Sequence, residues 1–308
     1  MLISVIIPTH NPRRDYLERV LAALGAQTLP KAHWELIVID NASQPAVAPE
    51  LAQLGHSSGR VVREERLGLT AARLAGFAAS SGEMVVLVDD DNVLDPDYLE
   101  QLTHISKAFP HLGTWSGRLT LSYEDKNLAP PRELAKFLTL REFEGDLWSN
   151  DPNHHASTPW GAGMCIRRSV CDAYRNRVAA QPARARLDLH GDTLVYGGDT
   201  DIAYTGCAIG LGKGIFARLH ITHLIPNRRC DPAFLLRSVE GQGYSEILHG
   251  WLTDGVVRNP RRDFLGRLGE LMRWFFLSRV ERSIAAAHRR GQCRAFRELT
   301  KEQPRATP

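Results

Sequence analysis

Short apolar segments alternate with segments of helical periodicity over the first third of the chain. Most of the short segments are rich in β-branched residues, whereas apolar residues in the intervening segments recur every three or four positions. Strands that alternate with helices form βαβ units, with parallel strands and helices on both faces of the sheet. The predicted strands are residues 2–7, 36–39, 60–62 and 84–88, and the predicted helices are residues 16–26, 70–79 and 96–108.

A polar cluster follows three of these strands. The sequence reads "PTHNP" after the first strand, "DNAS" after the second and "DDDN" after the fourth. Ligands of parallel α/β sheets bind at the carboxyl ends of the strands. We therefore expect the three clusters to converge on one binding site at that edge of the sheet.

The acidic cluster after the fourth strand contains a D-x-D pair, Asp89 and Asp91. Mg²⁺ and Mn²⁺ prefer oxygen ligands, and Mg²⁺ is typically held by one or two carboxylates together with substrate phosphates. The alternative is a solvated acidic turn that caps the next helix, with Asp95 before Pro96 as the N-cap. Helix capping would account for Asp95, but it accounts poorly for the three consecutive aspartates at 89–91. The sequence therefore favours a Mn²⁺ or Mg²⁺ site.

Composition and missing motifs exclude several classes of protein. The net charge of +3 over 308 residues is far from that of a dedicated nucleic-acid binder, and the five cysteines form no C-x-x-C pair. The chain carries no G-x-x-x-x-G-K-[ST], H-E-x-x-H or G-x-S-x-G motif. No stretch approaches the roughly 20 apolar residues that span a bilayer, and the apolar start lacks a basic leader. We expect a cytoplasmic protein with no nucleic-acid partner.

The periodicity is weaker beyond residue 112. "LGTWSGRLTLSY" is compatible with a strand, and "GGDTDIAYTGCAIGLGKG" predicts a loop that opens a helix ending on glycine. Residues 258–300 carry an apolar helical face among several arginines. This amphipathic segment either packs on the domain or lies on an anionic membrane surface, which leaves peripheral membrane association open.

The order and spacing of these motifs resemble family 2 of the glycosyltransferases. The shared order is a strand ending in P-T-x-N, then Q-T, a strand ending in D-N-A-S, an A-A-R helix and a strand running into D-D-D. "WGAGMCIRRS", "GGDTDIAY" and "HITHLIPNRR" fit the later part of that family, so the resemblance covers residues 3–240. It implies an α/β, Rossmann-like GT-A fold with a mostly parallel central sheet. It divides the chain into a nucleotide-sugar-binding half (1–112), an acceptor-binding half (113–245) and a C-terminal helical extension (246–308).

The resemblance also implies a nucleotide-sugar site. Asp91 would be the direct ligand of Mn²⁺ or Mg²⁺, with Asp89 and His223 beside it, although a lone histidine is more often a structural hydrogen-bonding group. Arg73 would lie near the base or the phosphates; a solvated helix arginine is the alternative. The residues implied to bind substrate are Pro8, Thr9, Asn11, Asp40, Arg73, Asp89, Asp90, Gly161 and Asp201.

The candidate catalytic base lies in "GGDTD". A sugar hydroxyl that attacks an anomeric carbon needs a group to accept its proton, and Asp199 matches the family's base. The family usually has glutamate directly before this aspartate, where the chain has Gly198. The choice between Asp199 and Asp201 therefore stays open, with Asp199 favoured and Asp201 alternatively interacting with the helix dipole.

These features predict an inverting, metal-dependent glycosyltransferase. The donor would be a nucleotide-diphosphate sugar, with UDP the commonest nucleotide in the family, and the acceptor a hydroxyl of a glycan or lipid-linked glycan, as in cell-envelope polysaccharide synthesis. Processive polysaccharide synthases of this family carry a Q-x-x-R-W motif and several membrane spans. The chain has neither, which favours an enzyme that transfers a single sugar. The alternatives are a sugar nucleotidyltransferase, disfavoured by "PTHNPRR" in place of a glycine-rich loop, and a non-catalytic nucleotide-sugar or glycan-binding module.

Overall fold

Nine strands form a mixed sheet in the part of the chain that the computed structural model describes, residues 1–188, 194–260 and 276–302. They are β1 (Ile3–Thr9), β2 (Trp34–Asn41), β3 (Arg60–Glu64), β4 (Met84–Leu87), β5 (Asn92–Leu94), β6 (Leu112–Tyr123), β7 (Leu147–Ser149), β8 (Cys165–Arg167) and β9 (Gly212–Ile225). Their order is β3-β2-β1-β4-β8-β6-β9-β5, and β7 also pairs with β9. Every ladder longer than three residues is parallel, which confirms the predicted mostly parallel sheet.

Helices cover both faces of this sheet, as predicted. Alternate residues of β1 enter two apolar clusters: Val5 packs in the cluster that contains Leu17, and Ile6 in the cluster that contains Phe77. This alternation follows from the two-residue side-chain period of a strand. The helices are α1 (Arg14–Gly25), α2 (Glu50–Gly55), α3 (Leu69–Ala79), α4 (Tyr98–Ala108), α5 (Arg132–Ala135), α6 (Arg168–Ala180), α7 (Gly198–Ala208), α8 (Pro232–Asp254) and α9 (Arg279–Glu302). Short 3₁₀ turns lie at Lys31–His33, Lys126–Leu128, Lys136–Leu138, His155–Ser157, Pro182–Leu187 and Asn227–Arg229.

The prediction for Asp95 was wrong. Helix α4 begins at Tyr98 and has Asp97 at its N-cap, with no side-chain capping bond in the described residues. Both carboxylate oxygens of Asp95 instead lie 3.0 Å from Nδ1 of His220 in β9. The pairing of β5 with β9 brings these two residues together, and nothing local in the sequence indicates it.

The described residues form two compact units. The sheet lies in the first, which comprises Met1–Glu124, Thr139–Ala185 and Gly198–Ile225; the second comprises the described parts of Asp125–Leu138, Arg186–Gly197 and Pro226–Pro308. The functional division of the chain at residues 112 and 245 stays a prediction.

Helices α8 and α9 of the second unit meet at glycines. A Cβ atom on Gly243 would lie 2.1 Å from the carbonyl oxygen of His288, and one on Gly291 would lie 1.8 Å from that of Glu240. Real Cβ atoms do not approach backbone oxygens so closely. Glycine at these positions therefore allows the two helix backbones to touch, and ion pairs from Arg290 and Arg294 to Glu240 flank the contact.

We expect Gly243→Ala to destabilise the protein, by about 1–3 kcal/mol, because the added methyl group overpacks this contact. The measurement is the free energy of unfolding in urea. Gly250→Ala, on the same helix, is the matched control, since its Cβ would meet only the end of the Arg258 side chain, at 3.2 Å. That control should be neutral or stabilising by up to about 1 kcal/mol. Equal stability of the two variants would contradict the close packing of α8 on α9.

The C-terminal prediction is only partly covered by the structure. Most of the apolar face predicted within residues 258–300 falls on residues 261–275, which lie outside the described residues, and membrane contact through this segment stays a prediction. Across residues 1–188, 194–260 and 276–302, no helix is both long enough and apolar enough to span a bilayer.

Candidate functional site

The three polar clusters of the sequence meet at one edge of the sheet. Strands β1, β2 and β4 are parallel, and their register places Thr9 beside Asp40. The Thr9 hydroxyl donates a hydrogen bond to Oδ2 of Asp90, which joins the end of β1 to the acidic segment after β4. The expected convergence is therefore observed. Pro8, directly before Thr9 in β1, is buried, and its predicted contact with substrate stays a prediction.

Asp91 and His223 form a buried pair at the same edge. The short strand β5 follows Asp91 directly and runs antiparallel to β9, with Asn92 opposite His223. This register places Nε2 of His223 3.4 Å from Oδ2 of Asp91, while Oδ1 of Asp91 accepts a hydrogen bond of 2.7 Å from the Asn92 amide. One carboxylate oxygen and one imidazole nitrogen thus lie close together, away from bulk water.

The donor atoms at this pair fit a divalent cation that is completed by substrate. In the described ranges, no three His, Cys, Asp or Glu side chains are grouped to hold a metal by themselves. Oδ1 of Asn92 is buried beside Asp91, and it accepts no hydrogen bond from the described part of the chain. Mg²⁺ usually takes one or two protein carboxylates and completes its shell with waters and phosphates, which suits so few protein ligands. Asp89 faces the Asn92 amide at 3.4 Å, and its predicted metal ligation stays a prediction.

Asp40 organises the loop after β2. Its carboxylate accepts hydrogen bonds from the backbone N–H groups of Ser43 (3.1 Å) and Val47 (3.0 Å) and from Nη1 of Arg63 (2.7 Å). Burial by itself would raise the pKa of Asp40, but these hydrogen bonds outweigh it and the pKa is lowered. Three donors from the chain already contact this carboxylate, and its predicted bond to a nucleobase stays a prediction.

Two asparagines link the loops around Asp40. Asn11 accepts a 2.7 Å bond from the Gln44 N–H, and its own N–H donates to Oγ of Ser43 at 2.9 Å. The Asn41 side chain donates to the carbonyl oxygen of Arg66 and accepts from the N–H of Gly68, which precedes α3. Asn41 was not among the predicted site residues. Its position in "DNAS", directly after Asp40 at the end of β2, is the sequence feature that could have indicated its role.

Arg73, Gly161 and Asp199 form a second group near the end of β4. The N–H of Gly161 donates to Oδ2 of Asp199 at 2.9 Å, and a Cβ on Gly161 would lie 2.8 Å from Nη2 of Arg73. The N–H of Leu87 donates to the carbonyl oxygen of Met164 at 2.9 Å, which ties the segment after Gly161 to β4. Gly161 therefore lies between the buried Arg73 guanidinium and the Asp199 carboxylate, and a side chain at 161 would require the end of Arg73 to shift.

The two candidate bases have different surroundings. Asp199 is half-buried in the first turn of α7, where the Thr200 N–H donates to its Oδ1 at 2.7 Å. Asp201 is 0% exposed; its Oδ1 lies 2.5 Å from Nη1 of Arg184 and 3.8 Å from Nη2 of Arg177. This buried ion pair gives no support to the predicted contact of Asp201 with substrate.

Arg141 interacts electrostatically with Asp199 and was not among the predicted site residues. Its guanidinium donates to the carbonyl oxygens of Thr158 (2.8 Å) and Ala156 (3.1 Å) and lies 4.6 Å from the ring centre of Trp160. Burial lowers the pKa of Arg141 to about 10, and the negative charge of Asp199 opposes that shift. Its backbone is fixed by a β-bridge to Leu119, a long-range contact that no local motif indicates.

Comparison with known proteins gives one family. The family model described as Glycosyl transferase family 2 matches residues 4–175. Putative glycosyltransferase EpsH of Bacillus subtilis is 30% identical over 103 residues, which cover 32% of this chain and 29% of EpsH. Glycosyltransferase AglE of Haloferax volcanii is 31% identical over 102 residues, which cover 32% of this chain and 33% of AglE. The match thus spans about a third of the length of these relatives.

Solved structures show the same fold. Residues 1–349 of S. aureus TarS, in complex with UDP-GlcNAc, superpose with a TM-score of 0.52 at 14% identity, covering 99% of this chain and 93% of that one. A second crystal structure of TarS 1–349 gives a TM-score of 0.51 at 13% identity, with the same coverage. The predicted GT-A fold with a C-terminal helical region is confirmed.

Proposed function

The chain belongs to glycosyltransferase family 2, and from this we propose that it transfers a sugar from a UDP-sugar to a hydroxyl group of a glycan or lipid-linked acceptor, with inversion and with Mn²⁺ or Mg²⁺. The observation that carries the proposal is the 2.9 Å bond that holds Asp199 at Gly161, in a segment that is tied to the end of β4, the strand before residues 89–91. A proton acceptor and a carboxylate–imidazole pair then lie in one compact unit.

The geometry supports a single-displacement reaction. Two backbone N–H groups fix the two oxygens of Asp199, and the carboxylate retains lone pairs that can accept the proton of an acceptor hydroxyl. As that proton leaves, the hydroxyl oxygen bonds to the anomeric carbon while the bond from this carbon to the diphosphate breaks on the opposite face. The configuration therefore inverts, and UDP leaves with the electron pair of the broken bond.

The leaving diphosphate needs positive charge. A divalent cation held by Asp91 and His223 would neutralise the charge that develops on it. The buried Arg73 guanidinium, next to Gly161, would add a second positive charge in a water-poor environment. These groups remove the need for a proton donor to the leaving group.

A donor screen tests the proposal against its alternatives. The TarS complex makes UDP-GlcNAc the first donor to test, followed by other UDP-, GDP- and dTDP-sugars, each scored by the melting temperature with Mn²⁺ and with EDTA. Release of the nucleoside diphosphate from the sugar donor supports glycosyl transfer. Release of pyrophosphate in a parallel assay with a nucleoside triphosphate and a sugar 1-phosphate supports a nucleotidyltransferase, and donor binding without either release supports a non-catalytic module. NMR of the product's anomeric proton then decides between inversion and retention.

A further inference from the structure

Lys213 is a fully buried cation that the proposed chemistry does not use. It is the second residue of β9, and its exposed fraction is 0%. Transfer of an ammonium group from water into a protein interior is costly unless its protons find acceptors. The acceptors of Lys213 therefore indicate what this residue holds in place.

All three protons of the ammonium group have an acceptor in one short segment. Nζ donates to the carbonyl oxygen of His154 at 2.6 Å, to Oγ of Ser157 at 3.2 Å and to Oγ1 of Thr158 at 3.0 Å. A lysine has three N–H donors, so this geometry satisfies the whole group. The acceptors are neutral oxygens, and the contact therefore tethers residues 154–158 to β9 by hydrogen bonds.

The tethered segment leads directly to the candidate base. Arg141 holds the carbonyl oxygens of Ala156 and Thr158, and the N–H of Trp160 donates to Oγ of Ser116 at 3.1 Å. The next residue is Gly161, whose N–H orients Asp199. The position of that N–H thus depends on a segment that Lys213 fixes from inside the unit.

We propose that Lys213 is a positioning residue for sugar transfer: it fixes residues 154–158 so that the Gly161 N–H holds Asp199 in place. The inference rests on the proposed function, because it takes Asp199 as the base. The three acceptors of Lys213 all lie in residues 154–158 and do not include Asp199, so its effect is expected on turnover and not on donor binding.

Lys213→Met tests this with a side chain of similar length that has no N–H donor. We expect kcat to fall roughly 10- to 100-fold, since a misplacement of about 1 Å can cost about 100-fold. The KM for the UDP-sugar should stay within about threefold. Kinetics are measured well below the melting temperature of the variant.

Arg167→Met is the control for loss of a cation that is hydrogen-bonded to backbone oxygens; Arg167 is partly buried, whereas Lys213 is fully buried. Arg167 also donates to three acceptors, the carbonyl oxygens of Ser106, Phe109 and Leu112. It pairs with Met84 at the start of β4, whereas the candidate site lies beyond the end of that strand. Its kcat should stay within about threefold of wild type. A Lys213→Met enzyme with normal kcat, or an equal loss of kcat in both variants, would overturn the proposal.

Hydrogen–deuterium exchange gives a readout that does not need activity. Amides of residues 154–161 should exchange at least about tenfold faster in Lys213→Met, and also in the double variant Ser157→Ala/Thr158→Val, which keeps the lysine and removes two acceptors. Unchanged exchange in both variants would refute the tether. A wild-type protein that shows no transfer activity would instead refute the proposed function, and with it the role of Lys213 in catalysis. The exchange rates of residues 154–161 would still show whether Lys213 holds this segment in place.

Discussion

Asp199→Asn is expected to reduce transfer turnover by about 10²- to 10⁴-fold, because an amide cannot accept the proton of the acceptor hydroxyl. The single amide oxygen can still accept the 2.9 Å bond from Gly161, while the bond from the Thr200 N–H is lost; the position is half-buried, so the new NH2 group and the Thr200 N–H can reach water. Donor affinity should therefore stay within about threefold of wild type. The measurements are kcat from UDP release with acceptor present and donor affinity by calorimetry.

Two further variants make this result specific. Asp172→Asn removes a carboxylate of 53% exposure from α6 and should leave turnover unchanged. Asp201→Asn breaks the buried pair with Arg184, so its main expected effect is a loss of stability of about 3–5 kcal/mol. If Asp199→Asn keeps its turnover and a folded Asp201→Asn loses it, Asp201 and not Asp199 is the base.

The nucleotide-binding half of the fold could be predicted because its signals are local. Strands β1, β2 and β4 are mostly apolar, which suits a strand covered on both faces. Each is followed by, or ends in, one of the polar clusters "PTHNP", "DNAS" and "DDDN". Strand β5 could not be predicted in the same way. It has three residues, and its existence depends on β9, which begins more than 100 residues later. Yet β5 is the element that places His223 against Asp91.

Site residues that belong to a sequence motif could be predicted. Roles that depend on which side chains are buried could not. "GGDTD" offers two aspartates in one helical turn, and sequence alone leaves their roles open. The structure separates them through Arg184, 17 residues earlier, which pairs with Asp201 inside the unit. Lys213 lies in "GLGKG", which the sequence predicts to be the glycine-rich end of a helix. Its burial follows from the pairing of β9 with β6 and β7, which local sequence does not encode.

Asp91→Ala is the second variant with a large expected effect. Loss of an outer-shell partner typically costs 10- to 100-fold in metal affinity, so loss of a direct ligand should weaken Mn²⁺-dependent donor binding by about 100-fold or more. His223 is the neighbouring donor, 3.4 Å away, and one imidazole does not replace the negative charge of a carboxylate. The measurement is UDP-sugar affinity with Mn²⁺ and with EDTA. The variant should bind the UDP-sugar equally weakly with Mn²⁺ and with EDTA.

The comparison of Mn²⁺ with EDTA separates a metal ligand from a structural residue. If Asp91 served only to bond Asn92, its removal would lower stability and donor affinity alike, with or without metal. Asp97→Ala is the matched control: this carboxylate, six residues later, accepts a bond from Gln101 at 3.0 Å and should leave the Mn²⁺ dependence intact. Wild-type affinity that does not change on removal of metal would exclude the proposed cation. An Asp91→Ala protein that still responds fully to Mn²⁺ would place the cation elsewhere, and Asp89 would then be the first residue to test.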